Sequence, residues 1–195
     1  MTSGYQTDAP PRKVLLFSGH MIDAPGRTQA RFPANNEPIA ADAIASTLVR
    51  IEAGSDDLAI CGGACGGDLL FAEASLARGL TLELYIPFHE PTFLANSVDF
   101  ADANWRARFF AAKSQGALCV MADERRPLVA GEDPYERNNL WMLEAAARFG
   151  AEKIDFICLW NGQGGDGPGG TQHLIKKVRC KGGRTHWLNT TQLWT

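Results

Sequence analysis

Two stretches of this chain are built to receive an anion. The first, Cys61-Gly62-Gly63-Ala64-Cys65-Gly66-Gly67-Asp68, follows the apolar run Leu58 to Ile60 and opens an amphipathic segment at Asp68. A buried strand, a turn stripped of side chains and a helix N-terminus in succession turn unpaired N–H groups and the positive end of a helix dipole toward whatever fills the turn. Glycine lets that group approach the backbone. The second stretch runs from Asn161 to Thr171, again after an apolar run (Lys153 to Trp160) and again ahead of a helical pattern. Neither contains the Gly-Lys-Ser/Thr of a Walker loop, and neither has the Gly-x-Gly-x-x-Gly spacing of a dinucleotide fold. A single glycine turn is often only a tight connection; two on one edge of a sheet point to a phosphate-bearing, nucleotide-like small molecule.

The residues expected to touch that ligand are Gly62, Gly63, Ala64, Gly66, Gly67 and Asp68 from the first turn, and Gly169, Gly170 and Thr171 from the second. The Thr171 hydroxyl suits both helix capping and phosphate contact. Ser18, Gly19 and His20 end the first strand, where a sheet of this kind places its ligand crevice. Asn138, with Asn139 beside it, puts donor-and-acceptor amides near a helix start, able to read a base edge or lie exposed. Asp68 carries a charge that disfavours phosphate, so it is expected to meet a sugar or base, unless it merely caps its helix. Cleavage of an N-glycosidic bond needs a carboxylate, and the candidates for that chemistry are Glu90 and Asp68. Glu90 has the plain alternative of an exposed loop acid. Arg27 and Arg31, or Arg125 and Arg126, could close on a phosphate, though surface arginines usually do no such thing. Cys61 and Cys65 have no second cysteine pair and no matching histidines, so no metal is expected. No cofactor is expected either.

The elements that must position these groups follow from periodicity. Short apolar runs at Lys13 to Ser18, Leu58 to Ile60, Leu82 to Pro87, Ala117 to Ala122, Lys153 to Trp160 and Arg184 to Leu188 predict strands. The alternation in Leu82 to Pro87 predicts one partly open face. Helices are predicted over Pro38 to Glu52, Asp68 to Arg78, from a Ser97 cap through Ala112, and over Gln172 to Cys180. Asp133-Pro134-Tyr135-Glu136 is a capping box with proline at the first helical position, predicting a helix to Phe149. Strands alternating with helices predict an α/β, three-layer fold with a mainly parallel sheet of about six strands. Its ligand loops then share the carboxyl edge of the sheet.

The chain has 195 residues, 19 basic and 22 acidic side chains and a formal net charge of −3, with no block of like charge. General nucleic-acid binding is disfavoured by that balance. The apolar run after the polar first dozen residues is too short for a signal core or membrane span, so a cytoplasmic protein with no membrane association is expected. Residues 1–12 read as a flexible arm and 13–195 as one domain, with assembly into a homo-oligomer left open. Five cysteines, an odd number, suit reduced thiols.

Cys61 to Asp68 with Leu69 to Glu73, together with Gly167-Pro168-Gly169-Gly170-Thr171, resembles the SLOG superfamily, which joins DNA-processing protein A with the LOG phosphoribohydrolases and with predicted sensors of nucleotide-derived signals. The resemblance implies a Rossmann-like sheet and a nucleotide or nucleotide-derived ligand held by the two glycine turns. It extends from about Lys13 to Leu188. In the LOG hydrolases a glutamate follows the Gly-Thr pair by three positions; here that position is Leu174, and the proline and glycines are spaced differently. Three functions stand at this point: a nucleotide-binding sensor or signalling module, a hydrolase or transferase acting on an N-glycosidic bond, and an oligomeric scaffold with a vestigial pocket.

Overall fold

The computed structural model describes residues 9–102, 104–164 and 170–194. Six strands, β1 (Val14–Gly19), β2 (Leu58–Cys61), β3 (Thr81–Ile86), β4 (Ala117–Val120), β5 (Ile154–Trp160) and β6 (Arg184–Asn189), form one sheet in the order β4-β3-β2-β1-β5-β6. Every pairing is parallel. The chain therefore walks outward from β1 to β4, returns, and continues from β5 on the other side. The order reverses between β1 and β5, where a crevice opens beyond the strand ends. This is the α/β, Rossmann-like architecture that the alternation of elements predicts.

Side-chain alternation along each strand feeds two cores, one on either face. Leu15 and Phe17 of β1 join Leu84, Ile86 and Leu159 in packing against α1 (Glu37–Arg50), α2 (Gly67–Ala77) and α4 (Asn104–Gln115). On the opposite face Val14, Leu16, Ile60, Phe156 and Cys158 pack against α6 (Pro134–Ala147) and α7 (Thr171–Cys180). The α6 cap is the expected one: Asp133 Oδ1 accepts from the N–H groups of Tyr135 and Glu136 at 2.8 and 2.9 Å.

Three local expectations are corrected. The helix predicted from Ser97 is two helices, α3 (Glu90–Ser97) and α4, with a break at Asp102 (φ 61). Ser97 ends the first of them, its Oγ 3.0 Å from the Tyr135 hydroxyl, and does not cap the second. β3 has no open face: Glu83 and Tyr85 are buried, with Tyr85 O–H donating to Glu83 Oε2 (2.8 Å) and Arg148 to Oε1 (2.7 Å). A charged residue inside a strand therefore marked a buried ion pair. β4 stops at Val120 and passes into a single turn, α5 (Met121–Glu124); another turn, α8 (Thr190–Leu193), follows β6. At the N-terminal end Pro11 is buried, and Arg12 makes two bonds to the fully buried Asp57, at 3.1 and 2.8 Å. Among the described residues no helix is long and apolar enough to cross a membrane.

Asp155 on β5 is buried beneath Arg184, which donates to both its oxygens at 2.8 and 2.7 Å, and His186 Nε2 lies 2.7 Å away. Burial alone would raise its pKa, but Arg184 and then His186 outweigh it and hold the carboxyl below the ordinary value of 3.8. A depressed folded pKa gives stability that is present above the unfolded value and lost as pH falls through the folded one. Asp155→Ala is expected to lower the unfolding free energy by about 2 kcal/mol at neutral pH. In denaturant titrations the gap from wild type should narrow as the pH drops below 3.8.

Candidate functional site

A cavity of about 210 Å³ opens beyond the carboxyl ends of β1, β2 and β3. β1 and the loop after it supply Ser18, Gly19, His20 and Met21; the turn into α2 supplies Gly62, Ala64 and Asp68. Tyr135, Asn138 and Asn139 reach it from the start of α6, Phe93 from α3, and Arg31 from the long loop that leaves β1.

Asp68 does not cap α2. The N-cap is Gly66, at φ 95, which has no side chain to bond the helix end. The Asp68 carboxylate turns back instead, and Oδ2 accepts the Ala64 N–H at 3.3 Å. Burial raises its pKa from 3.8 to about 7, against the N–H groups of Ala64 and Gly62, which favour the charged form. Near neutral pH the group is divided between acid and carboxylate, able to donate to a ligand or accept from it. Gly62 lies against it: a Cβ there would come within 2.9 Å of Asp68 Oδ2 and displace the carboxyl.

Two more N–H groups at this turn are engaged within the protein. Gly67 N–H donates to His20 O (3.1 Å) and Leu69 N–H to Ala64 O (3.3 Å). Gly66 bridges to Met21, and a Cβ on it would sit 2.6 Å from Ile22 N; a Cβ on Gly67 would press on the Phe17 ring at 3.1 Å. Gly63 is buried against Phe109 and Leu84. Gly66 and Gly67 therefore let backbone meet backbone, Gly63 makes room for side chains of the core, and none of the three lines the cavity.

His20 is pinned across the reversal point: its N–H donates to Leu159 O (2.9 Å) and its Nε2 accepts the Asn161 N–H (3.1 Å). Burial, then the charge of Arg31, bring its pKa down to about 4, so the ring is neutral. Asn138 is only 4 % exposed. Its Nδ2 donates to Tyr85 O at 2.8 Å, while its Oδ1 is buried with no hydrogen-bond partner. The Tyr85 bond settles which end of the amide is which, since the reverse placement would set two acceptors face to face.

Glu90 is not brought to this place. It is the first residue of α3, its carboxylate is paired with Lys113 Nζ, and it does not line the cavity. Gly170 is the N-cap of α7, accepting from Leu174 N–H at 2.9 Å, and Thr171 begins the helix; neither lines the cavity. Gly169 lies outside the described residues. Leu174, where the LOG hydrolases carry their glutamate, is fully buried in the core beneath α7. The opening of the second turn does face solvent: Asn161, Gln163 and Gly164 border a neighbouring hollow of about 520 Å³, across from Arg27, Gln29 and Arg31. The two glycine turns thus open on adjacent hollows, and Arg31 lines both. Of the arginines that the sequence offered for a phosphate, Arg31 lines the cavity; Tyr135 and Phe93 line it without having been expected there. The signal for Tyr135 was its position beside Asn138 in the first turn of α6. Among the described residues no three His, Cys, Asp or Glu side chains come together to hold a metal ion.

A folded-state pKa above the unfolded one gives stability that is whole below the unfolded value and is lost as pH rises through the folded value. Asp68→Asn should therefore gain thermal stability relative to wild type as the pH is raised from 3.8 to about 7, and the gain should level off above that. Gly66→Ala, forced to hold φ 95 with its Cβ against Ile22 N, is expected to cost about 3 kcal/mol in chemical denaturation.

No protein-family model matches the chain, and no curated protein matches it. Among solved structures it is similar to DNA processing protein A (DprA) from Streptococcus pneumoniae, at 13% sequence identity and a TM-score of 0.46, covering 91% of this chain and 50% of that one. The chain thus spans about half the length of that protein.

Proposed function

We propose that the chain binds a nucleotide or nucleotide-derived molecule in the cavity at the carboxyl ends of β1–β3, and acts as a sensor or signalling module. The observation that carries this reading is Asn138, whose Nδ2 is fixed by Tyr85 O while Oδ1 is buried without a partner. An unsatisfied buried acceptor costs about 1–3 kcal/mol. Such a group is accounted for when a ligand donor, a hydroxyl or an amine, completes it. Asp68 on the same cavity offers a second contact of either polarity, and Phe93 and Tyr135 supply apolar and aromatic surface. A sugar or base edge fits that mixture of groups. The resemblance of the glycine turns to the SLOG superfamily agrees with it.

A second reading, hydrolysis or transfer at an N-glycosidic bond, is favoured by one observation: the Asp68 carboxyl has its pKa raised to about 7 at the cavity wall, near the optimum for general acid–base work. Against it stand Glu90, paired with Lys113, and the buried Leu174.

Thermal denaturation with a panel of nucleosides, nucleotides and dinucleotides tests the first reading. A ligand at a hundredfold excess over its Kd should stabilise the fold by about 2.7 kcal/mol. Asn138→Ala should lose that stabilisation while unfolding cooperatively. If no member of the panel moves the midpoint, the scaffold with a vestigial pocket takes its place. Release of base from the same panel, abolished by Asp68→Asn, would establish the enzyme reading instead.

A further inference from the structure

We infer that Arg31 is the anion-binding residue of this site and that the ligand spans both hollows. Its phosphate-like group lies between Arg31 and the Asn161–Gly164 turn, and its uncharged part lies beside Asp68 and Asn138. The placement of the uncharged part rests on the function proposed above; the anion assignment stands on separate observations.

The first is the state of Arg31. Its guanidinium makes no hydrogen bond or ion pair among the described residues, and its Nε is buried without an acceptor. The carboxylate closest in sequence, Asp23, forms no hydrogen bond or ion pair with the guanidinium. Oδ2 accepts the backbone N–H groups of Arg31 and Phe32 at 2.9 and 3.0 Å, and Oδ1, buried without a hydrogen bond of its own, lies 3.3 Å from Arg27 Nε. Two guanidiniums thus share one carboxylate, and Arg31 is the one left over. A part-buried cation without an acceptor is costly, and an anion between it and the facing turn removes that cost. Burial and the neighbouring Arg27 lower its proton affinity by more than Asp23 raises it.

The second observation is the hollow itself. Arg27, Gln29 and Arg31 face Asn161, Gln163 and Gly164 across about 520 Å³, and among the described residues of its lining only Ala30 has an apolar side chain. A Cβ on Gly164 would meet nothing within 4 Å, so the turn leaves room there. The third is exclusion from the other candidate place. At the α2 turn the first-turn N–H groups of Gly67 and Leu69 are bonded within the protein, and the Asp68 carboxyl takes the Ala64 N–H and would repel an anion. The glycine turn before α2 therefore receives the neutral end of a ligand, and the arginine side receives the charged end.

Calorimetric titration of the full chain with inorganic pyrophosphate, with nucleosides and with their 5′-diphosphates tests this, using wild type, Arg31→Met, Arg31→Lys and Asn138→Ala. Methionine keeps the apolar stem and the backbone bonds of residue 31. Pyrophosphate should bind wild type and Asn138→Ala alike, about tenfold more weakly to Arg31→Met, with partial recovery in Arg31→Lys. Diphosphates should be weakened by both Arg31→Met and Asn138→Ala, and nucleosides by Asn138→Ala alone. Without ligand, Arg31→Met should melt no lower than wild type, whereas a structural arginine would lower the midpoint. Pyrophosphate that fails to bind, or binds wild type and Arg31→Met equally, overturns the assignment. Nucleosides that fail to bind while pyrophosphate binding stays Arg31-dependent leave the anion site standing and remove the nucleotide reading.

Discussion

Where the chain leaves β1 it lies directly on the turn that starts α2, backbone on backbone. Ile22 N–H donates to Cys65 O (3.3 Å), Gly67 N–H to His20 O (3.1 Å), and Met21 bridges to Gly66. No side chain fits between the two segments. From that seam the loop is carried outward in a fixed direction: Asp23 gathers the N–H groups of Arg31 and Phe32, and Phe32 is fully buried against Trp194, ring to ring at 5.4 Å. Trp194 in turn donates to the Arg31 carbonyl at 3.1 Å. Arg31 is thus held over the sheet edge by contacts its own side chain does not make. Both hollows depend on this seam, because it brings their common wall into place.

Polar groups removed from water divide into two kinds in this fold. Asp57, Glu83 and Asp155 are buried charges, each met by an arginine: Arg12, Arg148 and Arg184. Burial of a charge is tolerable on those terms. Asp23 Oδ1, Arg31 Nε, Ser75 Oγ and Asn138 Oδ1 are buried without a hydrogen-bond partner, and of these four residues Arg31 and Asn138 line the same cavity. A protein that satisfies its buried charges at the sheet yet leaves an acceptor and a donor open at one crevice has arranged that crevice for something that supplies both partners. Asp68 stands between the kinds, half satisfied by the Ala64 N–H and with its ionisation brought to about 7 by burial.

The order and type of the main elements were legible because their signals are local. Short, largely apolar runs such as Val14 to Phe17 and Ile154 to Trp160 carry the pattern of central strands in a covered parallel sheet, and both are wholly buried. The Asp133 cap was legible for the same reason. The break between α3 and α4 was not, because the apolar stripe of Val98, Ala101, Trp105 and Phe109 keeps its spacing across it, and all four are buried on one core. Burial alone does not reveal that the backbone stops being helical between them. Glu83 misled in the opposite sense, since its partner Arg148 lies 65 residues away.

The sequence by itself determined the parallel α/β sheet, the edge on which its loops gather, and the presence at that edge of five side chains that line the cavity: Ser18, His20, Ala64, Asp68 and Asn138. Those depend on hydrophobic period and on glycine and proline punctuation, which each segment carries alone. Only the tertiary structure decided what the glycines are for, which carboxylate stays at the cavity, and that Arg31 stands at the boundary of the two hollows. Each of these is settled by segments far apart in the chain, as Asn138 is fixed by Tyr85 from 53 residues away and His20 by Asn161 from 141. A glycine that clears room for a ligand and one that clears room for another stretch of backbone have the same local sequence, and the difference lies in what the fold puts against them.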